Sequence, residues 1–82
     1  MTQTNGKKSL LYANDVCLYR YPNGDGIYYD TKNKYFFEYT KFPDRELFTS
    51  LSYNEAKEKL RALKPFLTKD AKDVLQKLWS DF

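Results

Sequence analysis

The sequence predicts an α+β domain: an antiparallel β-meander of three to four strands, followed by two short helices packed on one face of the sheet. Two patterns predict it. Residues 16–41 carry β-branched and aromatic runs separated by Asn- and Gly-rich turns. Residues 52–79 carry apolar positions at helical spacing, each set preceded by a capping residue.

Val16 to Tyr21 reads as the first strand. Pro22-Asn23-Gly24-Asp25-Gly26 concentrates turn chemistry, with Asn-Gly supplying the positive φ of a tight hairpin. Ile27 to Asp30 is a short second strand. Thr31-Lys32-Asn33-Lys34 turns the chain again, with Asn33 best suited to the left-handed position. Tyr35 to Lys41 is the strongest strand. Ser9 to Ala13 is a further short candidate strand. Phe42-Pro43-Asp44-Arg45 reads as the end of the sheet, since Pro and Asp interrupt strands. Glu46 to Leu51 then reads as an irregular crossing anchored by Leu47 and Phe48.

Ser52-Tyr53-Asn54-Glu55 is a capping box, with Leu51 and Ala56 at the staple positions. Tyr53, Ala56, Leu60 and Leu63 line one stripe of the helix that follows, and Pro65 stops it near Lys64. Phe66-Leu67 is an apolar joint. Thr68 caps a second helix whose stripe is Ala71, Val74, Leu75, Leu78 and Trp79. Asp73 and Lys77 are spaced to pair, and Phe82 is placed to fold back.

The chain has 82 residues, enough for one domain. Residues 1–7 read as a disordered tail and residues 8–82 as a single domain. A chain this small buries only about 60–65% of its unfolded surface. The six Phe, eight Tyr and one Trp therefore matter to its core. The formal net charge of +3 decides nothing about partners. The single cysteine and the polar N-terminus, without an apolar leader, predict a cytoplasmic protein. No apolar run approaches membrane-spanning length, so no membrane is expected.

Catalysis is hard to assemble from these residues. The chain has no histidine, which removes the commonest general base and metal ligand. Cys17 sits mid-strand among apolar neighbours and reads as a small hydrophobe. Asn23-Gly24-Asp25-Gly26 begins like a calcium loop, then fails at Ile27. No nucleotide-binding glycine spacing is present. The expectation is a non-enzymatic protein with no metal and no cofactor.

Binding is better supplied. Strand alternation places Val16 and Leu18 on one face, opposite Cys17, Tyr19 and Tyr21. Two helices cover one face of a small sheet, so the other is expected to present aromatics. Tyr19, Tyr21, Tyr28 and Phe36 are the expected anchors, with Arg20, Lys32 and Lys34 at the rim. Tyrosine is also enriched in strands for packing alone. Whether the Tyr35 or the Phe36 set is covered depends on register, which the sequence leaves open.

Three readings follow. The first is an inhibitor or regulator that docks on a larger protein or complex, the form taken by small phage and mobile-element proteins. The second is a nucleic-acid binder using the same aromatic and basic face. The third is a self-associating domain or homodimer. A meander leading into a capped helix also resembles the arm-binding domains of phage integrases. Tyr19-Arg20-Tyr21 and Leu51-Ser52 to Ala56 carry that resemblance, which implies DNA binding; Pro65 and the second helix extend beyond it.

Overall fold

The computed structural model describes residues 15–82. The expected tail over residues 1–7 and the candidate strand Ser9 to Ala13 lie outside the described residues. The rest is a four-stranded antiparallel meander followed by two helices. The strands are β1 (Asp15–Arg20), β2 (Gly26–Asp30), β3 (Tyr35–Lys41) and β4 (Glu46–Leu51), in the order β1-β2-β3-β4. The helices are α1 (Tyr53–Ala62) and α2 (Lys69–Leu78), joined through a single 3₁₀ turn at Lys64–Phe66.

The fourth strand corrects the expectation of an irregular crossing. Phe42-Pro43-Asp44-Arg45 does not end the sheet. It is a hairpin loop, closed by the Phe42 N–H donating to the Arg45 carbonyl at 2.9 Å. Pro43 needs no ladder hydrogen bond there, so it is tolerated. Glu46–Leu51 then pairs with β3 from Lys41↔Glu46 to Phe36↔Leu51.

The β2–β3 turn differs in one position from the expectation. Lys34, not Asn33, takes the positive φ of 63°. The cause is Asp30. Its carboxylate accepts the Lys32 and Asn33 backbone N–H groups at 2.9 and 3.0 Å, and the Asn33 side-chain amide at 3.1 Å. Asn33 is thereby held in the body of the turn, and the left-handed step falls one residue later. At the β1–β2 turn Gly24 takes φ 99°, as its Asn-Gly context requires.

The helix starts are built as expected. The Glu55 N–H donates to Ser52 Oγ at 3.1 Å, while the Ser52 N–H donates to the Glu55 carboxylate at 3.0 Å. Thr68 caps α2 by accepting the Ala71 N–H at 3.1 Å. On the outer face of α2, Asp73 lies 3.6 Å from Lys69, and not from the expected Lys77. Both pairings are one helical turn apart, so either satisfies the spacing.

Both helices bury their stripes on the same face of the sheet, with α2 against β1 and α1 against β3 and β4. Phe36 is the centre of this core. Its ring stacks on Trp79 at 5.0 Å and meets Tyr29 at 4.8 Å and Tyr53 at 5.3 Å. Ala56, Leu60 and Leu75 close over it. Phe82 folds back onto Trp79 at 5.9 Å, and Lys64 Nζ donates to its carbonyl oxygen.

Candidate functional site at the outer edge of β1

The face assignments turn on a β-bulge. In β1, Cys17 lies opposite Tyr28, but the next paired residue is Tyr19, opposite Ile27. Leu18 is the extra residue. A bulge shifts alternation by one position, so residues beyond it change face. Cys17 and Arg20 therefore share a face with Tyr28, while Tyr19 and Tyr21 pack toward the helix-covered core. This corrects the expected grouping of Cys17, Tyr19 and Tyr21 on one face.

Gly26 makes the bulged geometry possible. A Cβ there would stand 2.9 Å from the Tyr19 carbonyl oxygen and 2.9 Å from the Tyr28 ring. The backbone of β1 and the Tyr28 ring both occupy space that a side chain would fill.

The expected anchors separate accordingly. Phe36 is 0% exposed beneath the helices, so it is a core residue and offers no surface to a partner. This is a second correction, and register is its cause: Phe36 pairs with Tyr29, whose face the helices take. Tyr28 is buried too, within a separate aromatic cluster on the opposite face with Phe37 and Tyr39. Its hydroxyl accepts from Arg20 Nη2 at 3.4 Å. That hydrogen bond raises the Arg20 pKa further, while burial is the leading cause of the upward shift at Tyr28. Tyr19 and Tyr21 are half-buried and meet edge to face at 4.9 Å. Burial also pushes the Tyr21 hydroxyl up.

Lys32 and Lys34 are exposed at the β2–β3 turn. Arg20 lies opposite Gly26, at the other end of β2 from that turn. The separation along the strand is roughly 13 Å at ~3.3 Å per residue. The three cations do not form one rim.

The structure instead assembles a groove of about 370 Å³ along β1, lined by Cys17, Leu18, Tyr19, Arg20, Phe66 and Thr68. Phe66 comes from the 3₁₀ turn and is 69% exposed, more than any other large apolar side chain described. Pro65 is the middle residue of that turn, and Leu67, which follows Phe66, is buried. Sequence reasoning named the Phe66-Leu67 joint without separating its members. The residues alone do not separate them: only packing decides which of two adjacent apolar residues turns outward.

Cys17 is exposed in this groove, so its reading as a small hydrophobe packed among apolar neighbours is corrected. It lies on an edge strand, and no described element covers it. Among the described residues no strand pairs with the outer edge of β1. The bulge twists that edge.

A larger groove of about 530 Å³ on α1 is a weaker candidate. Its cations are already engaged. Lys57 Nζ reaches both Asp81 carboxylate oxygens at 3.0 Å, and Arg61 lies 3.5 Å from the same carboxylate. The Lys57 hydrogen bond holds the Asp81 carboxyl below its ordinary range.

Among the described residues no group of His, Cys, Asp and Glu is placed to hold a metal ion, and no helix is long and apolar enough to cross a membrane. What the β1 groove offers is contact: an exposed aromatic ring, a half-buried tyrosine, a guanidinium and a thiol on one rigid edge. No protein-family model, curated protein or solved structure matches this chain.

Proposed function

We propose that this chain is a non-enzymatic protein-binding module that works in the cytoplasm as an inhibitor or regulator of a larger protein or complex. The observation that carries the proposal is Phe66, 69% exposed beside Arg20 and Tyr19 on a groove-lined strand edge. Aromatic and Arg side chains dominate the energetics of protein interfaces. Exposing a phenyl ring to water is unfavourable, and a partner that covers it gains roughly 25 cal/mol per Å² buried. The anchors of this reading are Phe66 and Tyr19, with Arg20 supplying charge and hydrogen bonding. They replace the flat aromatic face expected from strand alternation.

The exposed cations favour nucleic acid less. Lys32 and Lys34 are separated from Arg20, and helix cations are paired with acids, Lys69 with Asp73 on α2 and Lys57 of α1 with Asp81 beyond the end of α2. The test is affinity capture from host-cell lysate, with one half treated with nuclease. A defined protein retained after nuclease, at an affinity weakly dependent on salt, supports the proposal. Loss of all captured material on nuclease treatment, with steep salt dependence, overturns it in favour of nucleic acid. A chain that captures only itself overturns it in favour of self-association.

A further inference from the structure

β1 and β4 are the outer strands of the described sheet, and they differ. β1 is interrupted by the bulge at Leu18 and carries Arg20. Bulges and charged side chains blunt an edge against pairing with another chain. β4 has no bulge, no proline and no lysine. Its 6 residues pair with β3 in unbroken register, from Lys41↔Glu46 to Phe36↔Leu51. Its one charged residue is Glu46, whose carboxylate accepts the Tyr39 hydroxyl at 2.6 Å. Glu46, Leu47, Thr49 and Ser50 are exposed, and among the described residues no strand pairs with the outer side of β4. Such an edge presents a row of N–H and C=O groups that a further strand satisfies.

The residues of β4 match a second β4 running in the opposite direction. Residues directly opposite in an antiparallel pair share a face. By alternation, Glu46, Phe48 and Ser50 lie on the face of the Tyr28, Phe37 and Tyr39 cluster, while Leu47, Thr49 and Leu51 lie on the helix-covered face. A two-fold axis through the sheet at Phe48 preserves this alternation. It sets Phe48 beside Phe48 of the second copy, Leu47 against its Thr49, and Glu46 against its Ser50. No like charges meet. The Phe48 pair continues the aromatic packing that already joins Phe48 to Tyr39 at 5.2 Å. Pairing over 46–50 also leaves Ser52 clear to cap α1.

We propose that the chain forms a two-fold symmetric dimer through its β4 edges, joining the two four-stranded sheets into one. β1 lies at the opposite edge of each sheet, so the dimer carries one β1 groove at each outer end. The proposal does not rest on what that groove binds.

The test is sedimentation of the full chain over a range of concentrations, with folding verified by circular dichroism. The unaltered chain should show a monomer–dimer equilibrium, and amide exchange in β4 should slow as the dimer forms. Ser50 is exposed, so its charge can be changed without disturbing a core. Ser50→Glu sets carboxylates opposite Glu46 of the second copy twice over and should weaken the dimer. Ser50→Lys sets a cation there and should tighten it. Each shift should be roughly threefold or more in Kd. Phe66→Ala, in the β1 groove, should leave the equilibrium unchanged. A chain that stays monomeric at every concentration overturns the proposal and leaves β4 to a strand of another protein. A dimer that both Ser50 variants leave unchanged, or that Phe66→Ala dissociates, places the seam elsewhere and overturns it too.

Discussion

The Tyr39 hydroxyl donates a 2.6 Å hydrogen bond to the Glu46 carboxylate, diagonally across the β3–β4 pair. The acceptor is charged and the tyrosine ring is buried, so ionising the phenol would set two negative charges against each other. The carboxylate, followed by burial, pushes the Tyr39 pKa from 10.0 up to about 12.

Among the described tyrosines this makes Tyr39 the most resistant to alkali. A group whose pKa is raised on folding contributes stability that is fully present below its unfolded value. Here that contribution is lost as pH rises from 10.0 toward about 12. Spectrophotometric titration should show a late ionising step near pH 12. Tyr39→Phe should remove that step, and Glu46→Gln should move it to lower pH. A titration unchanged by Tyr39→Phe would contradict the assignment.

Gly26→Ala should destabilise the fold by about 1–3 kcal/mol, the range for overpacking. The added Cβ would meet the Tyr19 carbonyl oxygen, which is backbone and does not swing aside. Chemical denaturation measures the change. The variant should also lose the β1 register, read as altered amide exchange at Tyr19 and Arg20.

Ser52→Ala removes the side-chain half of the capping box, leaving the Glu55 N–H without its acceptor. The expected loss is about 1 kcal/mol, which lowers Tm by roughly 4–8 °C in a domain of this size. Thermal unfolding followed by circular dichroism is the check.

Phe36 and Phe66 should behave oppositely. Phe36→Ala empties the centre of the helix-covered core and should cost about 3–5 kcal/mol of stability. Phe66→Ala alters an exposed ring and should shift stability by less than ~0.5 kcal/mol. Denaturation midpoints of the two variants decide this directly.

Much of the fold was legible because local chemistry and tertiary packing agree. The capping Ser52, the stripe through Ala71 and Leu75, and the Asn23-Gly24 turn each specify their own geometry. The site was less legible. Face assignment by alternation assumes a strict period of two, and the bulge at Leu18 breaks it without an obvious marker in sequence. Strict alternation thus puts Tyr19 and Tyr21 on the wrong side of the sheet, and the bulge leaves Arg20 in the groove. Pro43 and Asp44 read as a sheet terminator, although loops between paired strands use the same residues. Phe66 was hidden by its neighbour Leu67, because only packing decides which of two adjacent apolar residues turns outward.

The most direct measurement is the dissociation constant of the captured partner for the unaltered chain, for Phe66→Ala and for Arg20→Ala, with folding verified by circular dichroism. If the β1 groove is the binding surface, Phe66→Ala weakens binding by about 2 kcal/mol or more, roughly thirtyfold in Kd, while the fold is retained. Arg20→Ala weakens it as well. Unchanged affinity in both folded variants would contradict the account and place the partner elsewhere on the molecule.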